Sequence, residues 1–318
     1  MQLPGSPRLP YDRLPAPLRT AVDRSLGSPV VHVSPRSGGF SPGPAAVVTC
    51  ADGTRAFVKA AGTPLNPDTP ALLRAEAAVA AALPSALPVP RLTAHLEWAA
   101  GDDEWVALLF EVVDGAPPSL PWTGDVARHA LAAVDAFARA ATPCPVPGTR
   151  PAADLLAGEL STWRRLADDP PPDLDPWEAG RLGWLADVPV RLAARGGLVG
   201  DTLVHLDLRA DNLLVTPAGD VVLLDWAWAV RGPAWIDPVV LALDVAAHGD
   251  LDPQSLVSDL PTVAAADPRD VTDLLLGMAG MWAAGTRRPA PPGLPTLRAF
   301  ERRFHEAALA WTARRVGG

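Results

Sequence analysis

Hydrophobic and polar residues alternate with a period of two along the first third of the chain. The alternating runs are 30–33, 45–50, 54–60, 91–98 and 104–113. Asp52-Gly53 separates the second run from the third, and a turn around Ala100–Asp103 separates the last two. Alternating runs joined by a short turn are typical of antiparallel hairpins, and Asp-Gly is a preferred hairpin turn. The pattern therefore predicts a small, mostly antiparallel sheet.

After residue 113 the apolar residues recur every three to four positions, which indicates helices. The predicted helices are 125–141, 152–167, 176–195 (broken near Pro189), 238–248, 269–284 and 297–316. Two more are predicted earlier, a short one over 18–26 and one over 70–83 that Pro84 ends. A compact β section interrupts the later helices, with strands in 203–215 and 221–226 around a Gly219-Asp220 turn.

The change from sheet to helix near residue 113 predicts the domain organisation. A strand-rich segment followed by a helix-rich one is typical of the α+β class. We expect two lobes, residues 1–113 and residues 114–318, and the short connection at 114–118 implies that they touch. The chain has 318 residues, of which 48% are hydrophobic and 20% charged, so it has ample material for a core.

Charge and cysteine content limit the classes of partner. Asp and Glu outnumber Lys and Arg by 36 to 27, a net charge of −9, which argues against a nucleic-acid partner. An acidic surface favours a cationic substrate, although net charge also keeps proteins soluble. The two cysteines lack CxxC or metal-ligand spacing, which suits a reducing compartment, and no apolar run is long enough to span a bilayer. We therefore expect a cytoplasmic protein with no membrane partner.

A cluster of polar residues interrupts an apolar run at LVHLDLRADNLLV, residues 203–215. Its members are His205, Asp207, Arg209, Asp211 and Asn212. Taken singly, each acidic residue is explained as a turn or capping residue, but the hairpin that follows can bring Asp225 to the same point as Asp207 and Asn212. The oxygens of Asn212 and Asp225 suit Mg²⁺. Asp207 is then free to take the proton of an acceptor hydroxyl.

HLDLRADN (205–212) followed by LLDW (223–226) resembles the H-x-D-x-x-x-x-N catalytic loop and the metal-binding Asp of the protein-kinase-like fold. RGPAWIDPVVLALD (231–244) resembles a segment of the aminoglycoside phosphotransferase and choline kinase family of small-molecule kinases. The resemblance covers roughly residues 30–250 in order. It implies a bilobal fold, with a small antiparallel sheet and one main helix in the N-lobe and a larger, mostly helical C-lobe. It also implies ATP or GTP and Mg²⁺ as cofactors.

The same resemblance assigns candidate roles in nucleotide binding. Lys59 matches the lysine directed at the α- and β-phosphates, and Glu76 in the next helix matches its ion-pair partner. Glu111–Val113 match the hinge, where the Glu111 carbonyl and the Val113 N–H read the adenine. SGGFSPG occupies the place of the phosphate-covering loop. The candidate phosphate contacts in that loop are Ser37, Gly38, Gly39 and Phe40.

Two positions depart from the family pattern. Leu206 stands where the antibiotic-kinase branch usually has Gly, and Arg209 stands where kinases often have Lys or His. The Arg209 guanidinium either offsets charge on the transferring phosphoryl group or pairs with a neighbour such as Asp211. Of the 11 tryptophans, Trp228 and Trp235 are candidates for an acceptor pocket, and the others are expected to pack in the core.

The leading hypothesis is a kinase that transfers the γ-phosphate of ATP or GTP directly to a hydroxyl of a small molecule, with Asp207 and Arg209 as catalytic residues. An antibiotic such as an aminoglycoside is favoured as acceptor, and a sugar, nucleoside, macrolide or amino alcohol stays open. A protein kinase is the second hypothesis, but no A-P-E segment follows Asp225. The third is a nucleotide-binding pseudoenzyme that acts as a partner scaffold. The intact set of Lys59, Asp207, Asn212 and Asp225 argues against it, because a scaffold need not keep both metal ligands. The chain is expected to be a monomer or a homodimer.

Overall fold

A five-stranded antiparallel sheet forms the N-terminal lobe, with strand order β1-β2-β3-β5-β4. The computed structural model describes residues 8–36 and 38–317. The strands are β1 (Val30–Pro35), β2 (Ala45–Cys50), β3 (Arg55–Gly62), β4 (Leu92–Ala100) and β5 (Asp103–Phe110). The two hairpins predicted from the alternating runs are therefore confirmed, and β3 joins them by pairing with both β2 and β5.

Helices cover both faces of this sheet. On one face, α1 (Ala16–Leu26) buries Leu18 and Val22 against the strands. On the other face, α2 (Thr69–Ala82) packs Leu73 and Ala77 on β5. Successive side chains of a strand point to opposite faces, so Lys59 of β3 points to the α2 side, together with Phe57 and Ala61. The sequence of β3 thus directs one lysine toward the helix that carries Glu76.

The C-terminal lobe is mostly helical. Its helices are α3 (Gly124–Ala140), α4 (Ala152–Glu159), α5 (Thr162–Asp168), α6 (Pro176–Ala179), α7 (Leu182–Ala186), α8 (Val188–Arg195), α9 (Ile236–His248), α10 (Pro253–Val257), α11 (Pro261–Ala264), α12 (Pro268–Gly285) and α13 (Leu297–Val316). At the centre lies α9, whose residues are buried from Ile236 through Val245, against α3, α10 and α13. Its continuous burial explains its nearly all-apolar sequence.

Four short strands pack against the helices of the C-terminal lobe and pair in two ladders. They are β6 (Thr202–Val204), β7 (Leu213–Val215), β8 (Val221–Leu223) and β9 (Val230–Gly232). β7 pairs with β8 across the predicted Gly219 turn, and β6 pairs with β9, which the sequence pattern did not predict. Each ladder is antiparallel. The polar residues of 205–212 therefore leave one ladder and enter the other, and this connection fixes both ends of the loop.

Two predicted helices are divided in the structure. The helix predicted over 152–167 divides after α4, because the Ser161 and Thr162 hydroxyls bond back to the Gly158 and Glu159 carbonyls at 2.7 Å each. The helix predicted over 176–195 divides into α6, α7 and α8. The break predicted near Pro189 is confirmed, because α7 ends at Ala186 and α8 begins at Val188, with Pro189 in its first turn, where a missing N–H breaks no helical bond.

Two predicted strands end early. The strand predicted over 104–113 ends at Phe110, because its neighbour β4 begins only at Leu92. The strand predicted over 221–226 ends at Leu223, since Asp225 has φ 67° and leaves the extended conformation. In both cases the residues after the strand line a cavity between the lobes. The proposed lobe boundary at residue 113 falls in one of these segments and stays a prediction.

No helix within the described ranges is long and apolar enough to cross a membrane.

Candidate active site

The loop from His205 to Asn212 crosses the seam between the lobes. It begins with Leu206 in the left-handed region, at φ 70°, and ends in a single 3-10 turn over Ala210–Asn212. A non-glycine residue at positive φ costs free energy, so the surrounding contacts must hold this conformation. This is the position where the resembled family usually has Gly.

A buried carboxylate on α9 holds the start of this loop. The two oxygens of Asp237 accept the backbone N–H groups of His205 at 2.7 Å and Leu206 at 2.9 Å. Asp237 is 1% exposed, and burial raises the pKa of its carboxyl, an effect opposed by His205 and by the two N–H donors. The carboxylate therefore fixes the chain direction immediately before Asp207.

A second carboxylate of α9 holds the end of the loop. Asp244 accepts the Ala210 N–H at 3.1 Å and the Trp122 indole N–H at 2.9 Å. Asp237 and Asp244 are seven residues apart in α9, two helical turns, so both carboxylates lie on the same helix face. One helix thus clamps the loop at two points.

His205 links the loop to the segment that carries Asp225. Its Nε2 lies 2.6 Å from the Leu224 carbonyl oxygen, and its Nδ1 lies 3.3 Å from the Asp207 backbone nitrogen. Because the backbone N–H can only donate, Nδ1 accepts and Nε2 donates. The ring also stacks beside Trp226, with centroids 4.6 Å apart. His205 therefore supports the backbone, as the resemblance implies.

Lys59 lies between two carboxylates. Its Nζ is 2.8 Å from Glu76 Oε2 and 2.7 Å from Asp225 Oδ1, and the lysine is 9% exposed. Burial alone would lower the pKa of Lys59, but the two carboxylates outweigh it and raise that pKa. Burial alone would raise the pKa of Asp225, and the Lys59 ammonium outweighs it and holds that pKa below its ordinary value. The ammonium and the Asp225 carboxylate are therefore both charged.

Asp207 and Asn212 meet directly across the loop. The Asn212 Nδ2 donates to the Asp207 carbonyl at 2.7 Å and to its carboxylate Oδ2 at 3.3 Å. The Leu224 N–H donates to the Asn212 carbonyl at 2.9 Å, which places Asn212 beside the segment that carries Asp225. Burial raises the pKa of Asp207, and the nearby Arg209 charge opposes this shift. A partly buried carboxylate with a raised pKa is suited to accept a proton.

Arg209 pairs with two carboxylates of its own loop. Its guanidinium donates to Asp207 and, at 3.0 Å, to Asp211. It also lies 5.4 Å from the ring centroids of Phe40 and Phe300. Of the two roles considered for Arg209, the structure displays the pairing with Asp211, extended to Asp207. Phe40 packs on Phe300 of α13 at 4.7 Å, so its side chain turns to the C-terminal lobe.

The glycine-rich segment, residues 37–43, contacts the loop that carries Asp211. Gly38 and Gly39 have φ of 100° and 73°, a conformation that favours glycine. The Gly39 N–H donates to Asp211 Oδ2 at 2.9 Å, which joins the glycine-rich segment to the 205–212 loop. Ser37, the remaining candidate phosphate contact, lies outside the described residues.

The hinge candidates line the other end of the same cavity. Glu111 donates its N–H to the Arg91 carbonyl at 3.0 Å, and its carboxylate accepts the Arg91 N–H at 3.1 Å. Among the described residues, neither the Glu111 carbonyl nor the Val113 N–H is hydrogen-bonded to another part of the chain. Apolar side chains form the walls next to these groups. They are Ala45, Val47, Phe57, Phe110 and Leu214.

One cavity therefore contacts Lys59, Glu76, Asn212 and Asp225 at one end and the hinge at the other. An apolar slot with free backbone groups fits a nucleotide base, and a lysine facing two carboxylates fits phosphates and a divalent cation. Within the described ranges no group of three or more His, Cys, Asp or Glu side chains could hold a metal ion. Asn212 and Asp225 line the cavity with side-chain oxygens that could contact a cation.

Several residues at the site were not found from the sequence. Arg8, Asp237, Asp244 and Phe300 contact the loops that carry the candidate residues. The sequence gives a reason to expect such contacts only for Asp237 and Asp244, because charged residues seven apart in an apolar helix require buried partners. Of the two tryptophans singled out, Trp235 is a core residue and Trp228 is 44% exposed.

The family model described as "Phosphotransferase enzyme family" matches residues 32–269, about three quarters of the chain. No curated protein matches the sequence.

Solved structures of several kinases, among them the following three, are similar over nearly the whole chain. The microcompartment-associated aminopropanol kinase has 17% identity and a TM-score of 0.60, with 94% of this chain and 97% of that one covered. Spectinomycin phosphotransferase APH(9)-Ia, in complex with ADP and spectinomycin, has 12% identity, a TM-score of 0.57 and coverage of 93% and 97%. Choline kinase LicA from Streptococcus pneumoniae has 12% identity, a TM-score of 0.54 and coverage of 94% and 100%. These similarities show the bilobal protein-kinase-like fold.

Proposed function

Because the chain belongs to the phosphotransferase enzyme family, we propose that it transfers the γ-phosphate of ATP directly to a hydroxyl group of a small molecule, with Mg²⁺. The chain is a phosphotransferase with an alcohol group as acceptor. The observation that carries the finer proposal is the 2.7 Å contact between Lys59 and Asp225, in the cavity that Asn212 also lines. GTP in place of ATP is the alternative nucleotide.

The residues of the cavity fit a magnesium nucleotide. The Glu111 carbonyl and the Val113 N–H would bind the base, and the walls beside them are apolar. Lys59, oriented by Glu76, would bind phosphate oxygens as a point charge. Asn212 and Asp225 would hold Mg²⁺, which keeps few protein ligands and takes phosphate oxygens and water for the rest. When bound, the cation neutralises charge on the phosphates.

The chain's own residues would then orient the acceptor and move one proton. Asp207 accepts the proton of the acceptor hydroxyl as the oxygen attacks, and the Asn212 amide holds the Asp207 carboxylate in place. Arg209 bridges Asp207 and Asp211 and keeps positive charge beside the reacting group. Phosphoryl transfer requires mainly positioning and charge neutralisation, so no covalent enzyme intermediate is needed.

We favour a cationic acceptor, first of all an aminoglycoside or related antibiotic. The net charge of −9 attracts cations, and the similar structures include a spectinomycin phosphotransferase. The aminopropanol kinase and the choline kinase among them support an amino alcohol as the second choice. A sugar, nucleoside or macrolide is a further alternative.

Transfer can be tested with a panel of aminoglycosides, amino alcohols, sugars, nucleosides and macrolides. Each compound is incubated with ATP, Mg²⁺ and the enzyme, and mass spectrometry detects the added phosphate. We expect a phosphorylated product from at least one cationic compound. Asp207→Ala should lower turnover by at least ~100-fold and leave nucleotide affinity nearly unchanged, because it removes only the base. Unchanged turnover in Asp207→Ala would refute the assignment.

A further inference from the structure

Arg8, in the segment before α1, lines the cavity that Lys59 and Asp225 also line. The Leu9 N–H donates to the Pro42 carbonyl at 2.8 Å. Arg8 Nη2 donates to the Gly38 carbonyl at 2.5 Å, and Arg8 Nη1 donates to the Gly43 carbonyl at 3.1 Å. One guanidinium therefore spans both ends of the glycine-rich segment. The chain that follows is anchored, since Tyr11 and Leu14 are buried under the sheet.

The charge of Arg8 faces the Asp211 and Asp225 carboxylates without pairing with them. In the described part of the chain, no carboxylate lies within ion-pair distance of Arg8, and its Nε is buried with no hydrogen-bond partner. Burial lowers the pKa of Arg8, while the charges of Asp225 and Asp211 act against that shift. Arg8 also lines the cavity that Lys59 and Asp225 line. A partly buried guanidinium that still has unpaired N–H donors is suited to bind a multiply charged anion.

Part of the glycine-rich segment has no N–H group free for phosphates. The Gly39 N–H is taken by Asp211, and Pro42 and Pro44 have no N–H. A phosphate-covering loop normally contributes backbone N–H groups. In this chain the loop also contributes two carbonyls that bind the Arg8 guanidinium. Arginine is the side chain whose planar fork matches phosphate oxygens.

We propose that Arg8 is a phosphate-binding residue, supplied by the segment that precedes the sheet, which contacts the phosphates of the nucleotide from the glycine-rich side. It acts opposite Lys59, so the phosphates lie between two cations. Two of its N–H groups remain with the loop carbonyls, and the others bind phosphate oxygens. This inference rests on the proposed nucleotide-dependent function and adds a residue to it.

Calorimetric titration of ATP with Mg²⁺, and of adenosine, into the full-length protein tests the proposal. The variants are Arg8→Gln, Arg8→Lys and, as a control for net charge, Arg13→Gln, whose side chain is exposed in the same segment. Arg8→Gln should weaken ATP binding by about tenfold, the size of one charge-assisted contact, and leave adenosine binding within about twofold. The ATP affinity of Arg8→Lys should lie between those of the wild type and Arg8→Gln. The ATP affinity of Arg13→Gln should match that of the wild type.

Two results would overturn the proposal. Arg8→Gln could bind ATP as tightly as the wild type, or it could lose ATP and adenosine affinity equally, which would give Arg8 a purely structural role. Melting temperatures of all variants are measured beside the titrations to separate binding from folding. Absence of ATP binding by the wild type would instead refute the proposed function, so the two failures are distinguishable.

Discussion

Replacing Asp237 with Asn would test whether one buried carboxylate sets the shape of the catalytic loop. The wild-type carboxylate accepts the His205 and Leu206 N–H groups through separate oxygens, at 2.7 and 2.9 Å. Asn has nearly the same size but only one acceptor oxygen. One backbone N–H would therefore face the amide NH₂, two donors with no acceptor between them.

The expected loss can be worked out from these contacts. A hydrogen bond to a charged acceptor contributes about 1.5–3 kcal/mol, and a buried N–H left unpaired costs about 1–3 kcal/mol. Removing a buried charge recovers part of this, since burial raises the pKa of Asp237. We expect Asp237→Asn to lower the free energy of unfolding by about 2–3 kcal/mol. Leu206, held at φ 70°, would relax and shift Asp207, with a loss of at least about tenfold in kcat.

Urea unfolding followed by tryptophan fluorescence measures the first quantity, and turnover of the identified acceptor measures the second. Asp259→Asn is the matched control, because Asp259 is an exposed aspartate outside the loop contacts. The control should unfold and turn over as the wild type does. If Asp237→Asn gave the wild-type unfolding midpoint and the wild-type kcat, the clamp would have no role in holding the loop.

Three further changes are predicted to alter stability. Leu206→Gly should be more stable to urea than Leu206→Ala by about 1 kcal/mol, because only glycine is free of the positive-φ penalty; the reverse order would contradict the strained loop. Burial raises the pKa of Glu178 to about 7, so this carboxyl keeps in the folded protein a proton that the unfolded chain releases near its ordinary pKa of 4.5. Stability should fall as pH rises from about 4.5 to about 7, and Glu178→Gln should flatten that fall in melting temperatures at pH 5 and 8; parallel curves would oppose this reading. Gly43→Ala would place a Cβ 1.8 Å from a backbone oxygen of β3, so its melting temperature should drop, whereas Gly158→Ala, with open space around it, should not melt lower.

The elements of the sheet lobe could be predicted because their causes are local. An Asp-Gly turn between alternating runs specifies a hairpin whatever surrounds it, and β2 and β3 have the predicted form. The errors arose where side chains compete with the backbone. The Ser161 and Thr162 hydroxyls divide a helix whose apolar pattern continues across the break. Nothing in the periodicity of the sequence distinguishes those hydroxyls from exposed ones.

In the candidate site, too, some contacts could be predicted from the sequence and others could not. Asp207, Asn212 and Asp225 are joined by one loop and one hairpin, so their meeting could be anticipated from short spacings. Arg8 and Phe300 come from the two ends of the chain, and their approach depends on how complete lobes pack. Such contacts leave no pattern in sequence spacing. Arg209 shows the intermediate case, because its pairing with Asp211 could be named in advance but its contact with Phe300 could not.

The most direct test of the central claim is the magnesium dependence of ATP binding, measured by titration calorimetry with and without Mg²⁺. If Asn212 and Asp225 hold the cation on the nucleotide, Mg²⁺ should tighten ATP binding in the wild type and in Asp207→Asn. In Asp225→Asn that enhancement should fall by about tenfold, the loss expected for one charged ligand. An enhancement that survives unchanged in Asp225→Asn, or disappears in Asp207→Asn, would contradict the assignment of the metal site and the base.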